Sequence, residues 1–138
     1  MTACKRVLTN TDRRRLGRFL INPETRGIGS RRARIDLEVK VEEAGRLPDE
    51  TVPRSLVTMN STVNLVDIKT HKHRTCTLVY PEDLDLYHES VGILQQLGQG
   101  ILGRSVGDVV IVGDGPDARR LLIKSIPFQP EAAGTGHR

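Results

Sequence analysis

The sequence predicts an α+β protein: a short N-terminal antiparallel pair of helices over residues 1–46, followed by an antiparallel sheet with one covering helix over residues 47–138. Three observations predict it. Apolar residues recur at helical spacing in the first part. Short β-branched runs bounded by turn residues fill the second part. Between them, residues 45–53 hold two prolines and several charges, which indicates a linker and excludes a central strand.

The first helix is predicted to begin at Thr9, a residue type that caps helices well. Asp12 lies three positions further on and complements the positive amide end. The helix is expected to end at Asn22-Pro23, because the residue before a proline disfavours helical geometry. The apolar stripe of this helix consists of Leu16, Phe19 and Leu20.

Residues 33–41 fit two patterns. Apolar and charged residues alternate, which taken alone predicts a strand. Yet the apolar residues also define one helical face, with Ser30 before them as an N-cap and Gly45 after them. We interpret the stretch as a helix. That face consists of Ala33, Leu37, Val41 and Ala44.

The second part reads as strands and turns around one helix. The helix is predicted over residues 92–102, where apolar residues have helical spacing. Glycine-containing turns are expected at 103–108 and 113–116, a loop at 81–85, and a frayed tail after Pro127. The predicted strands are 57–66, 74–80, 109–112 and 121–126.

The charge of the chain is unevenly distributed. Residues 1–46 hold 12 Lys and Arg against 6 Asp and Glu, whereas residues 47–138 hold 9 against 11. Such a basic segment suits a polyanion or an acidic protein surface, and equally a solvated helix face. We expect a cytoplasmic protein, because the sequence contains no apolar run of membrane-spanning length and no secretion signal, and Cys4 and Cys76 have no metal-type spacing.

Other sites for catalysis or cofactors are weakly supported. His71 and His73 are two positions apart but have no third ligand at a telling distance, so a solvated turn is favoured over a metal site. The glycines between 98 and 107 lack the order of a phosphate loop. Cys76 lies in an apolar strand, where a buried structural thiol is commoner than a nucleophile. We therefore expect no cofactor and no metal.

Three segments resemble a known family. Val57–Ser61, Thr77–Pro81 and Leu97–Asp108 are similar, in order and spacing, to the C-terminal domain of the GreA/GreB transcript-cleavage factors. The resemblance is strong over residues 50–130 and weak over residues 5–46. The late segment Gln129–Gly134 looks most like the Rnk branch of this family, the regulators of nucleoside diphosphate kinase.

The resemblance implies an FKBP-like second domain that docks on bacterial RNA polymerase beside its secondary channel, with the helix pair entering that channel. The docking loop lies just before the helix of this domain. In Gre factors this loop often contains a polar or acidic residue followed by Ser-Pro, and the side chains of this chain differ at those positions. The matching docking residues are Leu94, Gln95, Gln96 and Gln99.

Cleavage factors place two acidic residues at the tip of the helix pair to hold a catalytic metal, since Mg²⁺ prefers carboxylate oxygens. The tip here, Asn22, Pro23, Glu24 and Thr25, has one acid. Helices of about 12 to 16 residues also reach only about 18–24 Å. The chain is therefore expected to be a monomeric regulator and not an enzyme.

Two alternative functions remain. The first is a peptidyl-prolyl isomerase, because the implied fold is FKBP-like, although few aromatic residues are present to line a proline pocket. The second is a small protein that contacts nucleic acid without sequence specificity through a basic face. We assign that face to Arg13, Arg14 and Arg31.

Overall fold

The computed structural model describes residues 6–84 and 89–133. Within these ranges the chain forms three helices, a two-stranded sheet and a five-stranded sheet, and no helix is long and apolar enough to cross a membrane. The helices are α1 (Asn10–Ile21), α2 (Arg31–Glu43) and α3 (Gln96–Ile101). The strands are β1 (Val7–Thr9), β2 (Gly45–Leu47), β3 (Thr62–Asp67), β4 (His73–Val79), β5 (Ser90–Gly92), β6 (Val109–Val112) and β7 (Arg119–Phe128).

The helix boundaries in the N-terminal part agree with the sequence. Thr9 Oγ1 accepts a hydrogen bond from Asp12 N at 3.0 Å, and Ser30 Oγ accepts one from Ala33 N at 3.0 Å. The helical interpretation of residues 33–41 is confirmed, because α2 buries Leu37 and Val41 against the core. We call α1, α2 and their connection the helix pair.

A small parallel sheet anchors the base of the helix pair. Strands β1 and β2 run side by side, with Val7 opposite Gly45 and Thr9 opposite Leu47. The sequence indicated a linker at residues 45–53, and the strand assignment of residues 45–47 corrects it. Three residues are too few to show an alternating pattern, so this pairing had no signal in the sequence.

The larger sheet is mixed, which corrects the expected antiparallel sheet. Its strand order is β5-β4-β3-β7-β6, and β5 runs parallel to β4 while the other pairs are antiparallel. The short β5 strand and the following loop lie where the sequence suggested helix, so the helix predicted over residues 92–102 is limited to α3. A Cβ on Gly98 would lie 2.2 Å from Gly92 O, so glycine lets α3 pack directly on the end of β5.

One other strand prediction needs correction, and the last strand is longer than predicted. Residues 57–61 are irregular, although Val57 and Met59 are buried as their alternation suggested. Asn60 has a φ of 68°, which breaks the extended backbone before β3 begins. The remaining strands lie where they were predicted, and β7 extends further than expected at both ends.

The tail after Pro127 is fixed to the fold, at least as far as residue 133. Gln129 is 3% exposed, and its Nε2 donates hydrogen bonds to Pro53 O at 2.7 Å and Leu56 O at 2.8 Å. Thr58 Oγ1 donates to Glu131 Oε1 at 2.7 Å. The expected fraying is therefore wrong for these residues, because buried side chains anchor them.

One aliphatic core joins both parts of the chain. Leu16 and Leu37 from the helix pair belong to the same buried cluster as Leu65, Leu78 and Ile123 from the sheet. The division of the chain after residue 46 stays a prediction, since this core includes side chains from both sides of it. Cys76 is buried as predicted, and burial raises the pKa of its thiol to about 11.

A buried carboxyl group connects the start of α1 to the sheet part. Asp12 is 3% exposed, and its Oδ2 accepts a hydrogen bond from Met59 N at 2.9 Å. Burial raises the pKa of Asp12 to about 7, and the carboxylates of Glu131 and Asp49 add to this effect. The Met59 N–H and Arg15 act in the opposite direction. Asp12 thus contributes more than the helix-end charge that its position in the sequence suggested.

The raised pKa makes the free energy of unfolding depend on pH. An acid whose pKa is higher in the folded than in the unfolded chain stabilises the fold while it is protonated. For Asp12, this stabilisation is lost as the pH rises from 3.8, its pKa in the unfolded chain, to about 7, its pKa in the fold. We therefore expect Asp12→Asn to become more stable relative to the parent protein as pH rises from about 4 to about 7. Each unit of the shift corresponds to roughly 1.4 kcal/mol. Urea unfolding across this range measures the difference, with the exposed Asp36→Asn as control. A difference that is constant with pH would contradict the prediction.

Candidate functional site

The loop predicted to dock lies between β5 and α3. Gln95 and Gln96 are exposed, whereas Leu94 is half-buried and packs against the core. Gln95 is the N-cap residue of α3, but its side chain makes no capping hydrogen bond. Both glutamine side chains therefore point to a surface where a partner can reach them. We call these three residues the Leu94–Gln96 loop.

Gln99 has a different place from the one predicted. It is 5% exposed, and its Nε2 donates a hydrogen bond to Ala33 O of α2 at 2.9 Å. The side chain thus bridges α3 and the helix pair, which leaves little of it for a partner, and its role in docking stays a prediction. The sequence contained no signal for this burial, because Gln99 is two positions from both Leu97 and Ile101 and so lies off their shared helical face.

The Leu94–Gln96 loop also touches the helix pair. Gly29, just before α2, has a φ of 76°, and a Cβ at this position would lie 2.5 Å from Leu94 Cδ1. Only glycine adopts this backbone with so little space. Together with the bond between Gln99 and Ala33, this contact places the start of α2 directly beside the loop.

Arg6 holds the other end of α3. Its Nε donates to Leu102 O at 2.7 Å and its Nη2 to Gln99 O at 3.0 Å. These carbonyls belong to the helix end, where the last turn lacks partners of its own. Burial, and then the nearby charge of Arg104, lower the pKa of Arg6 to about 10, so it stays cationic at neutral pH. Sequence reasoning missed this role and read Arg6 only as part of a basic N-terminus.

The predicted tip residues form a compact turn. Asn22 Oδ1 accepts a hydrogen bond from Glu24 N at 3.0 Å, and Pro23 begins a short 3₁₀ turn. Thr25 Oγ1 donates to Phe19 O and Asn22 O. Glu24 is exposed and is the one acid of this turn. In residues 6–84 and 89–133, no group of three or more His, Cys, Asp or Glu residues could hold a metal ion.

Arg34 fixes the connection between the two helices. Its Nη1 donates to Thr25 O at 2.8 Å and Ile28 O at 3.1 Å, and its Nη2 donates to two carbonyls at the end of α1. The guanidinium also lies 4.9 Å from the centre of the Phe19 ring, a cation–π contact. The Nη donors of Arg34 are thus occupied within the helix pair.

Of the three residues of the predicted basic face, one bonds within the helix pair and two are exposed. Arg13 Nη1 donates to Val41 O at 2.8 Å and approaches Ala44 O at 3.4 Å, so it caps the end of α2. Arg14 and Arg31 are exposed. Among the described residues, neither forms a hydrogen bond or salt bridge that would neutralise it. Two of the three arginines therefore remain available to a partner.

A cleft beside the tip gathers further positive charge. It has a volume of about 520 Å³ and lies between the end of α1 and the start of α2. Arg26 and Arg31 are exposed there, and Glu38 is the one acid among its lining residues. The surface around the tip is thus suited to acidic or phosphate groups.

Comparison with known proteins agrees with this geometry. Residues 52–127 match the family model described as "Transcription elongation factor, GreA/GreB, C-term". The chain is 29% identical over 129 residues to the "Regulator of nucleoside diphosphate kinase" of Escherichia coli K12, and the match covers 93% of each protein. It is 23% identical over 94 residues to the "Transcription elongation factor GreA" of Thermodesulfovibrio yellowstonii, covering 68% of this chain and 60% of that one.

A solved structure extends the likeness across the helix pair. The "Prokaryotic transcription elongation factor GreA/GreB from Nitrosomonas europaea" superposes with a TM-score of 0.71 at 30% identity, and the match covers 91% of this chain and 99% of that one. The family motif, the shared length and the shared fold thus lead to one conclusion: the chain belongs to the GreA/GreB family of transcription elongation factors, with a C-terminal domain of the type that defines the family.

Proposed function

We propose that the chain is a non-catalytic transcription regulator that binds RNA polymerase in the bacterial cytoplasm, beside the secondary channel, through the Leu94–Gln96 loop. One observation carries the proposal: in a GreA/GreB family chain, this loop exposes Gln95 and Gln96 to solvent. The following helix α3 is fixed by hydrogen bonds of Gln99 to α2 and of Arg6 to the end of α3. A loop that is fixed before binding loses little conformational freedom when a partner docks.

The helix pair supports regulation without transcript cleavage. Cleavage needs two carboxylates to hold Mg²⁺ at the tip, and the tip turn has Glu24 next to exposed Arg26. The helix pair is the counterpart of the longer coiled coil of cleavage factors, shortened to 12 and 13 residues in its helices. In this proposal, it occupies the channel entrance and competes with cleavage factors for the same site.

The basic surface supports association with an acidic region of the polymerase or with nearby nucleic acid. Arg14 and Arg31 are exposed, whereas Arg13 is used within the helix pair. An FKBP-like sheet remains part of the proposal, but no described feature favours isomerase activity. Of the aromatic residues, Phe19 lies beneath Arg34 and Tyr80 packs against the core, so neither opens a proline pocket.

The first prediction of this proposal concerns the Leu94–Gln96 loop. Replacing Gln95→Arg together with Gln96→Arg should weaken binding to core RNA polymerase at least tenfold, because two bulky charges enter a contact that a partner must desolvate. Both side chains are exposed, so the fold should be unaffected. Fluorescence anisotropy with labelled protein measures the affinity.

The matched control for this variant is Ala132→Arg with Ala133→Arg, which adds the same charges at two exposed positions away from the loop. The control should bind like the parent protein. Equal affinities for the loop variant and the parent would exclude the loop from the interface.

The second prediction concerns catalysis. Backtracked elongation complexes incubated with saturating protein and Mg²⁺ should keep their RNA at full length, because Glu24 alone provides too few carboxylate ligands. Denaturing gel electrophoresis of labelled RNA detects shortening, with a GreA protein as the positive control. Shortening that Glu24→Ala abolishes would show that one carboxylate suffices.

The third prediction separates the arginines of the helix pair. Arg14→Gln with Arg31→Gln should slow association with polymerase severalfold at low salt and have little effect at high salt, since exposed charges act over about 8 Å at physiological ionic strength. The dissociation rate should hardly change. Stopped-flow measurements across a salt series give both rates.

Arg13→Gln serves as the contrasting variant. It should lower the free energy of unfolding by about 1–3 kcal/mol, because Val41 O loses its charged donor. Its effect on the association rate should be smaller than that of the double variant. If the double variant associated at the parent rate at every salt concentration, Arg14 and Arg31 would have no role in electrostatic steering of the association.

A further inference from the structure

An open cleft lies at one end of the five-stranded sheet, with a volume of about 790 Å³. One side is the β3–β4 turn at Asp67–Thr70, and the other is the β6–β7 turn at Gly113–Ala118. The sheet residues Ile111, Arg119 and Arg120 also line it. We call it the turn cleft.

The turn cleft is far from the Leu94–Gln96 loop. Strand β4 begins at His73, next to the turn cleft, and ends at Val79, which pairs with Gly92 just before the loop. Seven residues of strand span about 20 Å at 3.3 Å per residue. The turn cleft and the loop are therefore separate surfaces of the chain.

Apolar side chains are exposed at this end of the sheet. Ile111 is 62% exposed, Val109 is 47% exposed, and both belong to the edge strand β6. Ile68, across the cleft, is 44% exposed. Strand β6 contains no proline or charged residue to oppose pairing or packing with another chain.

The opposite half of the same sheet surface contains several polar side chains that bond to one another. Thr62 and Thr77 share a hydrogen bond of 2.9 Å across β3 and β4. Asn64 bonds to Ser125 at 2.9 Å and to Thr75 at 2.6 Å. Phe128, opposite Thr62, is 43% exposed in this half, whereas Ile111 and Ile68 line the turn cleft together. Such a local group of exposed apolar side chains can mark an interaction surface.

The charges of the turn cleft are separated by side. The β6–β7 turn contributes two acids, Asp114 and Asp117, and no base. The rest of the lining contributes three bases, Lys69, Arg119 and Arg120. Within the described ranges, none of these five side chains forms a salt bridge.

The third acid of the cleft is occupied within its own turn. Asp67 Oδ1 accepts hydrogen bonds from Lys69 N at 2.9 Å and Thr70 N at 3.1 Å. The Thr70 N–H, and to a smaller extent the charge of Arg119, lower the pKa of Asp67, so the wall includes one carboxylate beside Arg119. With three bases against this one acid, the wall is basic overall, and it faces an acidic turn.

We propose that the turn cleft binds a second copy of this chain, with the Gly113–Ala118 turn of each copy entering the cleft of the other. A two-fold interface uses the same patch on both subunits, so the patch must complement itself. Here the acidic turn of one copy meets Arg119 and Arg120 of its partner, and the two Ile111 side chains are covered together. A uniformly acidic or basic partner would be repelled by one half of the cleft. This dimer replaces the monomer expected from the sequence and does not depend on polymerase binding.

The proposed dimer predicts self-association, which can be measured directly. Light scattering on the intact chain, from micromolar to millimolar concentration, should show a molar mass rising from 15.3 kDa toward twice that value. High salt should reduce the rise, because it screens the paired charges. Ile111→Ser should reduce it as well. A mass that stays at 15.3 kDa throughout the concentration series would overturn the proposal.

Charge reversal provides the sharper test. The wall variant carries Arg119→Glu with Arg120→Glu, and the turn variant carries Asp114→Lys with Asp117→Lys. Each should be monomeric alone, since like charges face each other in its homodimer. An equal mixture should recover the dimer mass, because each turn then meets a wall of opposite charge. The control Arg14→Glu with Arg31→Glu, equal in charge change to the wall variant, should dimerise like the parent protein.

Circular dichroism verifies that each variant is folded. Should a reversed variant unfold, the milder pair Asp114→Asn with Asp117→Asn replaces it and should weaken dimerisation at least several-fold. Parent-like dimerisation of a folded wall or turn variant would overturn the proposal, as would a mixture that remains monomeric.

Discussion

The fold depends on one repeated interaction: an arginine from elsewhere in the chain caps the carboxyl end of each described helix. Arg34 bonds to Phe19 O and Leu20 O at the end of α1, Arg13 bonds to Val41 O at the end of α2, and Arg6 bonds to Gln99 O and Leu102 O at the end of α3. Each positive charge also lies at the negative end of the helix dipole. A planar guanidinium with several donors suits this task better than an ammonium group.

The reason these carbonyls need arginine is visible in the backbone. Pro23 follows α1 and has no N–H to offer Phe19 O. Gly45 N donates to Arg6 O and not to the end of α2, and Gly103 N donates to Val57 O and not to the end of α3. The connections that join the helices to the small sheet and to the core thus leave helix-end carbonyls without backbone donors. Arginine side chains satisfy them.

This arrangement also connects the two surfaces proposed for polymerase binding. Gln99 donates to Ala33 O at the start of α2, and Leu94 packs against Gly29. The orientation of the helix pair is therefore coupled to the position of the Leu94–Gln96 loop. A partner that moves the loop must also disturb the helix pair, so docking and channel occupancy are expected to act together.

The sequence alone determined what depends on local chemistry: the capped helix pair, most strands and the buried Cys76. Its motifs also identified the family. Only the tertiary structure decided which polar residues serve the fold. In the sequence, Arg13, Arg34 and Gln99 cannot be told apart from arginines and glutamines at the surface. Their hydrogen-bond partners lie 28 to 66 positions away or across a turn, so only the folded chain shows them. The parallel β1–β2 and β4–β5 pairs were missed for the same reason, because three-residue strands have no period of their own and form only when distant segments meet.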